Sequence, residues 1–144
     1  MIDIKKLKEH LYDVIGAIHE VKKGMGPGLN EYCYQEALQL QFDIDKIPYV
    51  REKSFHPTYN GQILKSEFRV DFLCKNDIVV ECKSVSELIN VHRAQLHNYL
   101  RLTKSTCGIL VNFFPDYFEL ERYFYDDEQR VILGVDGRII KGYN

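Results

Sequence analysis

The amino-acid sequence predicts an α/β (α+β) fold, a mixed central sheet flanked by helices, and three observations predict it. Apolar residues recur at spacings of three and four as far as Ile44, the mark of amphipathic helices. From Tyr49 the pattern changes to short strand-like runs punctuated by turn signals at Asn60-Gly61 and Asp136-Gly137. The stretch CGILVNF (107–113) is an unbroken apolar run, the pattern of a buried central strand.

Taken in order, Ile4, Leu7, Leu11, Val14, Ile18 and Val21 mark the apolar face of a first helix. It is expected to stop at Gly24, where GMGPG (24–28) turns the chain. A second helix starts near Leu29 or Asn30, with Leu29, Cys33, Ala37, Leu40 and Ile44 on one face, and Pro48 ends that stretch. YVREKSFHPTY (49–59) reads as the first strand, and 63–74 and 77–85 as two more joined through Lys75, Asn76 and Asp77. A third helix runs from about 86 to 102 with Ser86 as its N-cap. After the strand at 107–113 come an aromatic strand around 117–125 and the hairpin at Asp136-Gly137. The order is α-α-β-β-β-α-β plus C-terminal strands, without internal repeat or linker. It fits one domain spanning 1–144, a length that builds a single core.

Hydrophobic residues make up 45% and charged residues 28%, which excludes a disordered chain. The formal charge of -2 gives no general electrostatic reason to expect nucleic acid, although an acidic catalytic cluster lowers the net charge of a locally basic protein. Cys33, Cys74, Cys82 and Cys107 form no CxxC pair, and the three in predicted strands or at their ends (Cys74, Cys82 and Cys107) read as small core hydrophobes, so a reduced, cytoplasmic protein is expected. The N-terminal stretch is amphipathic and charged, neither signal peptide nor membrane span. No G-x-S-x-G, P-loop, GxGxxG or HExxH pattern occurs; His92, one turn before Gln95, is the one histidine placed near the residues discussed next.

Those residues are in RVDFLCKNDIVVECK (69–83). A three-residue loop at Lys75, Asn76 and Asp77 sets Asp71 directly across from Glu81, with Cβ atoms about 4.5–5.5 Å apart. Alternation puts Phe68, Val70, Phe72 and Cys74 on one face and Asp71 on the other. Like charges in that position destabilise a sheet, and a bound Mg²⁺ would reverse the sign, because hard cations take carboxylate oxygens. Lys83, one pleat beyond Glu81, could hold a phosphate oxygen or orient a water. The competing reading is an exposed, self-neutralised face of an edge hairpin. The apolar flanks (IVVECKSV) favour a covered strand, where charges need a reason. Gln95 and Tyr99 share a face of the third helix, and Glu31 sits in the first turn of the second. In the tail, FFPDYFELERYFY (113–125) reads as core-completing aromatics rather than a base-stacking surface. Arg51, Lys53, Lys65, Arg93, Arg101 and Lys104 are candidate phosphate contacts.

The combination of Gly28, Glu31 and Tyr34, then Asp71, Glu81 and Lys83, then Gln95 and Tyr99 resembles the GxxExxY proteins, a branch of the PD-(D/E)xK nuclease superfamily. The resemblance runs from about His19 to Phe113 and includes NYLRLT and GILVNF. It implies a restriction-endonuclease-like core and a metal-dependent nuclease hydrolysing phosphodiester bonds in nucleic acid, DNA first. It implies Mg²⁺ (or Mn²⁺) held by Asp71, Glu81 and the main-chain carbonyl of Cys82, with Glu31 as an outer ligand or water-holder. Lys83 would be the catalytic lysine, and Gln95 and Tyr99 would brace the site or touch the nucleic-acid backbone. One departure is Val70 where a proline precedes the aspartate in the superfamily pattern, a variable position there. The alternative is a non-catalytic nucleic-acid-binding or interaction module that retains the nuclease fold.

Overall fold

A computed structural model describes residues 2–143. The first helix, α1 (Ile4–Met25), is opened by Asp3, whose carboxylate accepts the Lys6 N–H, and buries Leu11, Val14, Ala17, Ile18 and Val21. It runs past Gly24 and ends at Gly26, whose φ of 73° an L-residue rarely adopts. Asn30 caps α2 (Glu31–Ile44) by accepting the Cys33 N–H. The buried face of α2 is Tyr34, Gln35, Leu38 and Phe42, not the expected stripe of Leu29, Cys33, Ala37, Leu40 and Ile44. Leu40 and Ile44 are 61% and 63% exposed. The i, i+4, i+8 series of larger rings and Leu38 fills more space against α1 and the sheet, so it takes the core.

Seven strands form one sheet in the order β1-β4-β5-β6-β7-β8-β9. They are β1 (Tyr49–Phe55), β4 (Phe68–Cys74), β5 (Ile78–Lys83), β6 (Cys107–Asn112), β7 (Glu119–Asp126), β8 (Val131–Leu133) and β9 (Ile139–Gly142), and β2 (Thr58–Tyr59) and β3 (Gln62–Ile63) form a separate hairpin. Among the described residues only β5 and β6 are parallel neighbours, joined through α3 (Asn90–Thr103); the other pairs are antiparallel. The sheet separates two apolar clusters. One holds α1, α2, Phe72, Cys74, Ile78, Val80 and Cys82; the other holds Leu96 and Leu100 of α3 with Val70, Leu73 and Val79. Every residue of β6 is buried, as its apolar run requires, and Gly108 lets α3 close on it: an added Cβ would lie 2.9 Å from Leu100.

Asn60 and Gly61 carry φ of 49° and 75° in the tight turn expected there, but they connect β2 to β3 outside the main sheet. The strand expected over 49–59 is therefore β1 plus β2, and the one over 63–74 begins only at Phe68, as β4. Ser86 does not cap α3, which begins four residues later; there the His92 ring Nδ1 accepts the Ile89 N–H at 3.1 Å. Side-chain alternation in β4 is broken at Asp71. Phe68 and Val70 pack on the α3 side while Phe72 and Cys74 pack on the α1–α2 side, so the four do not share a face. The physical reason lies beside it: Glu52 on the neighbouring strand takes φ 54°, and the Glu81 carboxylate accepts the Asp71 N–H. Of the tail aromatics, Phe113, Tyr123, Phe124 and Tyr125 are buried core residues, whereas Phe114 and Tyr117, in the bend before β7, are exposed and complete no core. Among the described residues no helix is long and apolar enough to cross a membrane.

Candidate active site

The β4–β5 register continues Phe72↔Val80 toward its open end, where Asp71 and Glu81 meet. Each carboxylate takes a main-chain donor from the opposite strand. Glu81 Oε2 accepts the Asp71 N–H at 2.8 Å, and Asp71 Oδ2 accepts the Cys82 N–H at 2.8 Å. The ladder is thus completed by side chains at the point where its strands begin to part, and both carboxyls are held in fixed orientation. Glu81 is only 3% exposed. Burial pushes its pKa well above the ordinary carboxylate range, and the facing Asp71 charge pushes the same way. Burial also raises Asp71, against the pull of the Cys82 N–H and of Lys83.

Lys83, half-buried at the end of β5, donates to Gln95 Oε1 at 2.9 Å. That bond joins the strand to α3 and directs the ammonium. Tyr99, one helical turn on, stacks on Phe68 at 5.0 Å. On the other side stands Glu31, the first residue of α2, raised by burial and by the Asp71 charge and lowered by Lys83. Its placement has a local cause. The Tyr34 hydroxyl accepts the Leu29 N–H at 3.0 Å and donates to the Gly26 carbonyl at 2.6 Å, tying down the turn that passes through Gly28 at φ 83°. Ser84 donates to the Leu29 carbonyl, fastening the same turn to the chain just after Lys83. The spacing of Gly28, Glu31 and Tyr34 is therefore the geometry of one stapled helix start.

The structure brings Glu31, Asp71, Glu81, Lys83 and Gln95 together, with Tyr99 at the margin; the Cys82 side chain turns into the α1–α2 core. His92 serves the start of α3, and burial and the Lys83 charge lower its pKa. Arg93 is committed elsewhere: its guanidinium clasps Glu121 at 2.8–3.0 Å. Sequence reasoning missed Gln35 and Asn112, and it offered Arg51 as a phosphate contact rather than as the partner of Gln35. Arg51 Nη2 donates to Gln35 Oε1 at 3.3 Å, and Gln35 Nε2 lies 3.5 Å from Glu31 Oε1. Asn112 bonds the Val85 N–H and carbonyl at 3.0 and 2.9 Å, fixing the segment after Lys83. The one signal for Asn112 was a polar side chain at the end of an otherwise apolar run.

Among the described residues no three or more His, Cys, Asp or Glu side chains form a metal cage. What the site offers is two carboxylates fixed side by side, a hard-oxygen pair that fits a small divalent cation retaining most of its waters. It does not fit zinc, which prefers His and thiolate donors.

The family model described as the PD-(D/E)XK nuclease superfamily matches residues 8–123, most of the chain. The chain belongs to the PD-(D/E)XK nuclease superfamily. No curated protein matches it. Among solved structures, the crystal structure of SSO0001 is similar in fold, with a TM-score of 0.54 and 22% identity over 68% of this chain. This chain spans about half of that one, 52%. The mixed sheet and its flanking helices are the restriction-endonuclease-like arrangement expected of a PD-(D/E)XK protein, and nucleases of that superfamily generally use divalent metal ions.

Proposed function

We propose that this PD-(D/E)XK protein is a metal-dependent nuclease hydrolysing phosphodiester bonds, that DNA is its substrate, and that it falls in the GxxExxY branch. The observation that carries the reading is the interlocked pair of Asp71 and Glu81, each carboxylate held by a main-chain N–H of the opposite strand, with Lys83 two residues further along. A decorative surface pair would not be buried at a raised pKa; a cation between the two removes that cost.

In this reading Asp71, Glu81 and the Cys82 carbonyl hold Mg²⁺ or Mn²⁺, and Glu31 is the outer ligand. The chemistry that such an ion supplies when bound is Lewis-acid stabilisation of charge developing on phosphate oxygens. Lys83 uses one donor on Gln95 and keeps two for a phosphate oxygen, where its charge offsets the negative charge that grows in the transition state. Glu31, whose pKa burial raises, is suited to hold a water and take its proton. Gln95 fixes the direction of Lys83, and Tyr99 braces α3 through Phe68.

The test is cleavage of labelled DNA in Mg²⁺ and in EDTA by the wild type, Asp71→Ala and Lys83→Ala. The reading expects cleavage only by the wild type with metal, the two variants folding as the wild type does. Equal nucleic-acid binding by all three, chelator present and no cleavage anywhere, would establish the non-catalytic binding module instead.

A further inference from the structure

A second concentration of charge lies away from the carboxylates, in a cleft of about 390 Å³ at the C-terminal end of α3. His56, Arg101, Lys104, Tyr125, Asp127 and Arg130 line it, so three permanent cations face one carboxylate. That carboxylate neutralises little. Lys104 Nζ is 3.9 Å from Asp127 with both side chains at least half exposed, and Asp127 Oδ1 already accepts the Tyr125 hydroxyl at 2.9 Å.

Arg101 is the best-positioned donor. Its guanidinium lies over the Tyr143 ring at 4.7 Å, which fixes its plane, and among the described residues its one hydrogen bond is a 3.4 Å contact from Nη2 to Asn98. Its Nε is buried with no acceptor among the described residues. A buried guanidinium N–H without an acceptor is unfavourable until an oxygen arrives, and a fork held flat on a ring matches a phosphate. Lys104 and Arg130, both at the rim, hold left-handed backbone at φ 58° and 55°, a conformation that residues with a Cβ seldom retain.

The cleft is on the α3 side of the sheet, as the carboxylate site is. Tyr99 stacks on Phe68 at 5.0 Å, Phe68 on Phe55 at 5.5 Å, and His56 follows Phe55 into the cleft. A strand with one phosphate at Asp71 and Glu81 would lay another over this ring stack toward Arg101.

We infer that the Arg101–Lys104–Arg130 cleft is a second phosphate subsite, holding the backbone of the nucleic-acid strand on one side of the bond cut at the carboxylate site. The inference rests on the nuclease reading and adds to it how the substrate is held. Such an interaction positions the strand without reading its sequence.

The experiment is fluorescence anisotropy with a labelled DNA duplex and its single strand, in Ca²⁺ in place of Mg²⁺, over a series of salt concentrations. The proteins are the wild type, Lys104→Gln/Arg130→Gln, which leaves Arg101 on Tyr143, and the triple variant that adds Arg101→Gln, each checked for a wild-type melt. Removing one cation from a phosphate should flatten the slope of log K against log salt by about 0.9 on duplex and about 0.7 on single strand. The double variant should thus flatten it by about 1.4–1.8 and the triple by about 2–3. Wild-type binding with unchanged slopes in both variants would overturn the subsite and leave the nuclease reading standing. No binding of either DNA by the wild type would overturn both. Binding of inorganic phosphate that is abolished in the double variant, with the DNA slope unchanged, would make the cleft a free-anion site and also overturn the inference.

Discussion

Glu81 carries opposite consequences for stability and activity. Its folded pKa is raised, chiefly by burial, so its contribution to stability is full below the ordinary carboxylate pKa and is lost as pH rises through the folded value. Above the ordinary carboxylate pKa and without metal, Glu81 therefore works against the fold. Glu81→Gln in EDTA should unfold about 1–2 kcal/mol less readily than the wild type, measured by urea denaturation at pH 7.5, while cleavage is abolished. Lys83→Met should lower cleavage at least about 100-fold with little change in melting temperature, because Gln95 is half-buried and regains water. The placement of Asp71 opposite Glu81, with Lys83 one pleat beyond, was legible because a hairpin register follows from loop length, and β4–β5 kept it. Their mutual main-chain bonds were not legible, since they depend on a break in alternation at Asp71 that no local pattern announces.

Elements position the site through their ends. α2 begins at Glu31 because Asn30 caps it and Tyr34 staples the preceding turn. Tyr34→Phe keeps the 4.5 Å stack on Phe113 and removes both turn bonds. It should cost about 1–3 kcal/mol by chemical denaturation, and lower cleavage as well if Glu31 depends on that turn. Helix and strand identities came from periodicity, yet the wrong face of α2 looked buried. Leu29, Cys33, Ala37, Leu40 and Ile44 form a regular apolar stripe, and Tyr34, Leu38 and Phe42 form a competing one whose rings pack better against α1 and Phe72. Two stripes on one helix are resolved only by what lies opposite. The late start of α3 has a similar origin: Ser86 is a good cap by type, but 84–89 is held as a loop by Asn112 and Ser84.

For the molecule as a whole, pH acts through two groups of opposite sign. His97 is 6% exposed, sits edge-on to Tyr123 at 4.5 Å, and burial lowers its pKa to about 4. A depressed histidine stabilises the fold above its unfolded pKa of 6.5 and loses that contribution as pH falls toward 4. Between pH 7.5 and 5 that loss comes to about 2 kcal/mol. The carboxylates with raised values run the other way, gaining stability as they protonate. His97→Phe should therefore remove the acid-side loss, so that stability in EDTA changes more favourably from pH 7.5 to 5 than in the wild type, measured by urea denaturation at both pH values. The mixed sheet itself was readable from element order, because β5–α3–β6 is the one parallel crossover and the rest are antiparallel neighbours. The β2–β3 hairpin was misplaced because a strong turn signal fixes a hairpin but not the sheet it joins. The proposed activity depends above all on Asp71 and Glu81 holding a divalent cation. Calorimetric titration of Mg²⁺ and Mn²⁺ into the wild type and Asp71→Ala, with and without a DNA duplex, is the decisive measurement. Binding to the wild type that Asp71→Ala abolishes is expected; wild-type protein that takes up neither ion, even with DNA present, would contradict the assignment.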